Sequence, residues 1–262
     1  MSIDSKKRKS FDAVAEIYNE VRTGYPEALV EDILSLSRIP DKGSILEIGC
    51  GSGNATVAFA RRGYSILGIE LGANLAVLAV QNCQNYPDVK ILNLAFEDWD
   101  VEDRAFDLVM AADALHWIPP QIAYPKAARA IKDTGSAAFF WRVPVDPQTE
   151  WSQEIDRLYE TATPQFVNPD KRFTAEWLIE IITRNFETSG CYTAITTRQY
   201  VWREILTRDQ YVKGLWTFSM HKDICDAERV KLYARIGDVI DRYGGKVEQP
   251  QSVVLFHAGV KR

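Results

Sequence analysis

Ile45-Leu46-Glu47-Ile48-Gly49-Cys50-Gly51-Ser52-Gly53 is the stretch that decides the fold. A short apolar run cut off by glycines reads as a buried strand. The glycines let the turn after it bend sharply and approach a ligand closely, with the N–H groups of the next helix aimed at that ligand. Their spacing is GxGxG, without the third glycine of the dinucleotide fingerprint GxGxxG. Glu47 adds a carboxylate at the strand end, where it repels a pyrophosphate and attracts the ammonium of an amino-acid ligand.

Outward from this turn, short apolar runs alternate with helical stretches, the pattern of a parallel sheet joined by crossover helices. Strands are predicted near Ser44–Ile48, Ser65–Ile69, Lys90–Leu94, Phe106–Ala111 and Ser136–Trp141, and helices near Asn54–Arg62, Asn74–Gln84 and Ile122–Lys132. Ahead of them Phe11, Val14, Ala15, Tyr18 and Val21 recur at helical spacing, and a second helix is read from Glu27 to Leu36. After Trp141 the rhythm changes: helical patterns near Ser152–Ala162 and Thr174–Thr188 follow one another without a strand, which reads as a cap. A β-rich run Ala194–Leu206, helices near Asp209–Phe218 and Ala227–Tyr243, and a strand Ser252–Val260 close the pattern. The boundaries drawn are 1–43 for N-terminal helices covering the cofactor site, 44–145 for the sheet core, 146–192 for a helical cap over the substrate site, and 193–262 for the last sheet strands with intervening helices, part of the cap.

In an open parallel sheet, ligands bind beyond the carboxyl ends of the strands. Four strand ends therefore supply candidates. The first is the Gly49–Gly53 turn with Cys50, and the second is Glu70, whose carboxylate can accept from both hydroxyls of a ribose. The third is Ala95-Phe96-Glu97-Asp98, where an aromatic ring can border an adenine and a carboxylate can accept from its amine. The fourth is Ala111-Ala112-Asp113-Ala114-Leu115-His116-Trp117. Taken singly, Glu97, Asp98 and Asp113 fit helix caps equally well, and Glu70 alone suits a nicotinamide cofactor.

Together these residues carry a family resemblance. Ile45–Gly53 resembles motif I of the class I S-adenosylmethionine-dependent methyltransferases, and Glu70, Phe96-Glu97 and Ala112–Trp117 fall where that family keeps its later cofactor motifs. The resemblance covers Ser44 to Trp141. It implies an α/β, Rossmann-like fold: a mostly parallel seven-stranded sheet with helices on both faces and a helical cap inserted after the fifth strand. It also implies S-adenosylmethionine as cofactor, S-adenosylhomocysteine as product, and cofactor-binding roles for Tyr18, Arg22, Glu47, Gly49, Cys50, Gly51, Gly53, Glu70, Leu71, Phe96, Glu97, Ala112, Asp113, Ala114 and Trp117. A narrower likeness rests on Tyr18, on Arg22-Thr23-Gly24-Tyr25-Pro26 and on Ala114-Leu115-His116-Trp117. These are similar to a small-molecule subgroup that includes trans-aconitate methyltransferase-like proteins, in which Pro more often stands at Thr23. In the wider family the N-terminal helix closes over the cofactor, which would set Tyr18, Arg22 and Tyr25 near its methionine end. By charge, Arg22 can pair with the methionine carboxylate. A surface arginine and two core tyrosines fit those positions singly as well.

Methyl transfer from a sulfonium is an in-line displacement, so alignment and exclusion of water can supply most of the catalysis. An ionised carboxylate acceptor needs only positioning, whereas a hydroxyl or amine is helped by a base. His116, one of three histidines and the only one at a strand end, is the catalytic candidate for either job, and it also fits a packing or gating role. Tyr25, His116, Trp117 and Arg142 are the candidate substrate residues, the rings walling the methyl group and the arginine anchoring a carboxylate. Arg172 and Arg203 are further anchors that fit surface ion pairs as well. The cap aromatics Trp151, Tyr159, Phe166, Trp177, Trp216 and Phe218 can line an apolar pocket or hold the cap helices together.

Composition narrows the partners. With 262 residues and 46% apolar content the chain can bury one sizeable core. A net charge of -5 disfavours nucleic acid, and Ala112-Asp113-Ala114-Leu115 is unlike the Pro-Pro-aromatic turn of adenine-N6 methyltransferases. Lys6-Lys7-Arg8-Lys9 reads as a solvated tail, and the absence of a long apolar stretch leads to an expected cytoplasmic location away from membranes. Four scattered cysteines without a CxxC pair indicate no metal site. The expected partner is a small-molecule methyl acceptor, and the expected assembly a monomer or homodimer. Two rival readings are an NAD-dependent oxidoreductase, which would want GxGxxG and dislike Glu47, and a non-catalytic protein that keeps the fold and the cofactor site.

Overall fold

A computed structural model describes residues 11–22, 24–164 and 174–261. The expected sheet is present with seven strands: β1 Ser44–Ile48, β2 Ser65–Glu70, β3 Val89–Asn93, β4 Phe106–Ala112, β5 Ile131–Pro144, β6 Tyr192–Thr207 and β7 Lys246–Val260. Their spatial order is β3-β2-β1-β4-β5-β7-β6. The first five strands pair in parallel, and β7 lies antiparallel between β5 and β6. Strand order reverses between β1 and β4, and such a switch point opens a crevice at the carboxyl ends of the strands.

The described helices are α1 Ala15–Val21, α2 Glu27–Ser37, α3 Asn54–Ala60, α4 Ala73–Asn82, α5 Pro120–Ala130, α6 Glu150–Ala162, α7 Ala175–Ser189, α8 Arg208–Leu215 and α9 Asp226–Arg242. On one face of the sheet α2 and α3 bury Leu29, Ile33, Ala55 and Phe59 against Ile45, Met110, Phe140 and Leu255. On the other, α5 and α7 bury Tyr124, Ala127, Ile182 and Phe186 against Leu46, Val109, Phe139 and Phe256. Alternate residues of β4 and of the Ala137–Trp141 part of β5 serve the two faces, which is why these stretches read as apolar runs.

The segment expected to be one helical cap divides in two. α6 joins α8 and α9 in a separate cluster of Trp151, Ile155, Leu215, Tyr233, Ile236 and Ile240. α7 instead lies on the sheet, with Phe186 in edge contact with Tyr192 at 4.8 Å and Tyr124 at 5.1 Å. Local chemistry sets the ends of both. α6 opens with a capping box of Thr149 and Ser152, and α7 opens on Thr174, whose hydroxyl accepts from the Trp177 N–H at 3.2 Å, and stops at Gly190 in the left-handed region. Phe166 and Arg172, both singled out by sequence, and the Lys6–Lys9 run lie outside the described residues. No helix among the described residues is long and apolar enough to cross a membrane.

Candidate active site

The Gly49–Gly53 turn places Gly49, Gly51 and Gly53 at φ values of 70°, 57° and 88°. A Cβ on Gly49 would lie 2.5 Å from the Ala114 methyl, so a side chain there would force β1 away from the end of β4. The Glu70 carboxylate holds the turn from β2: Oε2 accepts from the Gly51 N–H at 2.9 Å and Oε1 from the Gly72 N–H at 2.7 Å. Cys50 lies buried in the same turn.

Beneath the turn, Glu47 is 1% exposed. Its Oε2 accepts from Thr56 Oγ1 at 2.5 Å, whereas Oε1 has no hydrogen-bond partner among the described residues. Burial pushes the Glu47 carboxyl up to about 8, against the stabilising Thr56 hydrogen bond. Arg22 enters the same crevice with a buried, unpartnered Nε and with its guanidinium over the rings of Tyr18 and Phe218. The crevice holds a cavity of about 30 Å³ and is lined by Tyr18, Arg22, Tyr25, Glu47, Gly49 to Ser52, Asn54, Ala55, Ala112, Asp113 and Arg142. A buried acceptor and a buried cation, each short of a partner in one crevice, match the two charges of an amino-acid zwitterion.

The N-terminal segment is fastened over this crevice by contacts that the sequence did not announce. Asp12 Oδ1 accepts from the N–H groups of Asn74 at 2.7 Å and Leu75 at 3.1 Å, capping α4 from outside. The Asn54 amide donates to the Arg22 carbonyl at 3.0 Å, and the Asn82 amide to Asn19 Oδ1 and the Ser52 carbonyl, both at 2.8 Å. Thr56, Asn54, Asn82 and Asp12 were all missed. Asn54 alone carried a local signal, since it opens the helix after the glycine turn.

At the end of β4, Asp113 sits in the left-handed region at φ 53°. Its Oδ1 accepts from the Arg142 N–H at 2.7 Å and its Oδ2 from the Tyr25 hydroxyl at 2.9 Å. Arg142 donates to the Gly24 carbonyl at 2.8 Å and lies over the Tyr25 ring at 4.8 Å. Arg142, expected on the acceptor side, and Tyr25, expected there and near the methionine end, thus line the same crevice as Glu47 and Arg22 and pin the segment after α1 to the sheet. Beyond Asp113, Leu115–Trp117 form a 3₁₀ turn. Trp117 meets Phe11 edge-on at 5.6 Å and His116 at 4.9 Å. The Trp141 indole N–H donates to His116 Nδ1 at 3.0 Å, and burial lowers the imidazole to about 4 despite the opposing Asp113 charge.

Other expected residues fall elsewhere. The Phe96 ring is turned into the core, 2% exposed and stacked on Trp99 at 5.9 Å, because the turn after β3 folds both of its aromatics inward. It cannot border an adenine with its face. Glu97 stays half-buried at that strand end, its carbonyl accepting from Lys126 at 2.7 Å, and Leu71 follows Glu70 with its carbonyl taken by Asn93 at 3.1 Å. Arg203 forms an exposed ion pair with Glu248 at 2.6 Å. Trp151, Tyr159 and Trp216 pack among the cap helices, while Trp177 and Phe218 remain 37% and 44% exposed. No group of His, Cys, Asp and Glu among the described residues can hold a metal ion.

An open α/β sheet with a glycine turn at its switch point and a carboxylate at each of its first two strand ends has the architecture of a nucleotide- or nucleoside-binding protein. A family model described as "Methyltransferase domain" matches residues 45–135. Over 230 residues the chain is 22% identical to "Probable S-adenosylmethionine-dependent methyltransferase CRG1" of Saccharomyces cerevisiae, covering 78% of each protein. It is 26% identical over 150 residues to "Uncharacterized methyltransferase Mb3374" of Mycobacterium bovis, covering 57% of this chain and 58% of that protein. The fold is similar, at TM-score 0.57 and 14% identity, to Haemonchus contortus phosphoethanolamine N-methyltransferase 2 in complex with S-adenosylhomocysteine and phosphomonomethylethanolamine, over 98% of this chain and 60% of that one. Residues 45–135 thus match a methyltransferase domain, and the chain is similar in sequence to S-adenosylmethionine-dependent methyltransferases and in fold to solved ones.

Proposed function

We propose that the protein transfers a methyl group to the oxygen of a small molecule, a carboxylate or a hydroxyl, beside His116 and Trp117. The observation that carries this reading is the crevice in which Glu47 Oε1 and Arg22 Nε lack partners beneath a fastened N-terminal helix. A site covered in this way suits a small acceptor better than a polymer, and the net charge of -5 argues the same.

In this reading Glu47 takes the ammonium and Arg22 the carboxylate of the methionine moiety, Glu70 takes the ribose while bracing the glycine turn, and Glu97 lies on the adenine side. When bound, S-adenosylmethionine supplies an electrophilic methyl carbon on sulfur. The chain supplies alignment and exclusion of water, with Tyr18, Tyr25 and Trp117 as apolar walls and with Asp113 and Arg142 keeping the N-terminal segment closed.

Calorimetry with S-adenosylhomocysteine tests the cofactor site: micromolar binding is expected, whereas preference for NADH would overturn the reading. Labelled methyl donor with panels of small acids, phenols and amines then tests the acceptor. Label appearing only in amines would refute oxygen methylation.

A further inference from the structure

His116 is held in one tautomer by a neighbour the sequence reading did not consider. An indole N–H can only donate, so the 3.0 Å bond from Trp141 Nε1 requires an unprotonated Nδ1 on His116. In a neutral imidazole the proton is then on Nε2. Trp141 is 2% exposed and held by Phe256 in edge contact at 5.6 Å, so the donor is fixed by the core. No partner among the described residues takes the Nε2–H, and His116 is half-buried at the carboxyl edge of the sheet.

We infer that Trp141 is a positioning residue that makes His116 a hydrogen-bond donor, and that the methyl acceptor is therefore a carboxylate, a nucleophile already ionised in solution. This rests on the oxygen-methylation reading above and chooses between its two branches. A base must receive the acceptor's proton. Nε2 already carries one, and Nδ1 can take one only by giving up Trp141. The nearby carboxylates are otherwise engaged: Asp113 with Arg142 and Tyr25, Glu70 with the glycine turn, and Glu47 through Oε2 with Thr56 and, in the reading above, through Oε1 with the cofactor's ammonium. Asp113 is the charged group facing His116, and the lowered basicity of the imidazole agrees with its role as a donor. For a carboxylate the balance closes without a base: an oxygen lone pair forms the O–CH₃ bond, the C–S bond breaks with its electrons going to sulfur, and a neutral ester and thioether result with no proton released. A hydroxyl or amine would have to lose a proton.

The test starts with ¹⁵N-histidine NMR of the full chain, with and without S-adenosylhomocysteine. His116 should show the Nε2–H tautomer in wild type, and a mixture in Trp141→Phe, which keeps the ring packing and loses the donor. A Nδ1–H tautomer in wild type overturns the assignment, whether or not any acceptor is turned over. With a carboxylic acid from the panel and S-adenosylmethionine kept saturating at every pH, kcat/KM for the acid should stay flat from about pH 6 to 9, turnover of the preformed cofactor complex should release no proton into a weakly buffered solution, and Trp141→Phe should raise KM about tenfold or more, the usual loss for one hydrogen bond to a charged acceptor. A rising limb near the normal histidine pKa, or one proton released per turnover, overturns it. S-adenosylhomocysteine affinity should be the same in both proteins; loss of binding in wild type would instead mark failure of the cofactor reading.

Discussion

Glu47 shows how one side chain ties stability to binding. Its carboxyl is raised to about 8 in the folded chain, above the ordinary carboxylate value of 4.5. A group raised on folding favours the folded state while it is neutral, and that contribution is lost as pH rises from the unfolded value through the folded one. Unliganded protein should therefore lose stability between about pH 4.5 and 8 on account of Glu47. Glu47→Gln, which stays neutral, should raise Tm at about pH 9 by roughly 5 °C, with little change near pH 5, as differential scanning fluorimetry would show. The same variant should bind S-adenosylhomocysteine more weakly, because the ammonium loses its counter-charge. In wild type, affinity should climb towards about pH 8 with a proton released on binding, which calorimetry in buffers of different ionisation enthalpy would detect. An unchanged affinity in Glu47→Gln would place the ammonium elsewhere. Glu70→Ala should weaken S-adenosylhomocysteine binding by about 1–3 kcal/mol in calorimetry, since it removes both a ribose acceptor and the brace on Gly51.

At the scale of elements, helix and strand identities were legible in the sequence wherever a local pattern expressed its own environment. β1 ran from Ser44 to Ile48 as read, because its apolar residues and the glycines that end it are contiguous. β7 was read as starting at Ser252 but starts at Lys246. Its first residues, with Pro250, pair only with β6, beyond the last β5 partner at Gln251, so a missing N–H costs nothing there and polar residues can form a strand. Tertiary contacts such as Asp12 on α4 or Trp141 on His116 leave no local signature, since each joins residues far apart in sequence. The same limit hid the role of α7, whose apolar face suits a cap or a sheet equally. Its place on the sheet is testable. Phe186→Ala should cost about 3–5 kcal/mol in urea denaturation while leaving S-adenosylhomocysteine affinity unchanged, whereas a change in affinity with intact stability would return α7 to the site.

Across the whole molecule, the N-terminal helix α1 and the cluster of α6, α8 and α9 are joined. Lys213 of α8 pairs with Glu20 of α1 at 2.5 Å, and Arg22 at the end of α1 lies over Phe218 just beyond α8 at 5.6 Å. α8 in turn packs on α6 and α9 through Trp151, Leu215 and Tyr233. α1 therefore has two attachments: Asn54, Asn82 and Asp12 tie its segment to the sheet domain, and Lys213 and Phe218 tie it to the cap. A ligand that recruits Arg22 should stiffen both sides at once, because Arg22 belongs to both. Hydrogen exchange should slow in α1 and α8 together when S-adenosylhomocysteine binds, while the amides of β5 and β7, deep in the ladder, should stay as they were. Lys213→Ala, which cuts an exposed ion pair, should leave stability within about 1 kcal/mol of wild type and still uncouple the response, so that α1 is protected and α8 is not. Protection of α8 that survives both Lys213→Ala and Arg22→Lys would mean that the ligand touches the cap directly, and the acceptor pocket would then extend under α8 rather than stopping at His116 and Trp117.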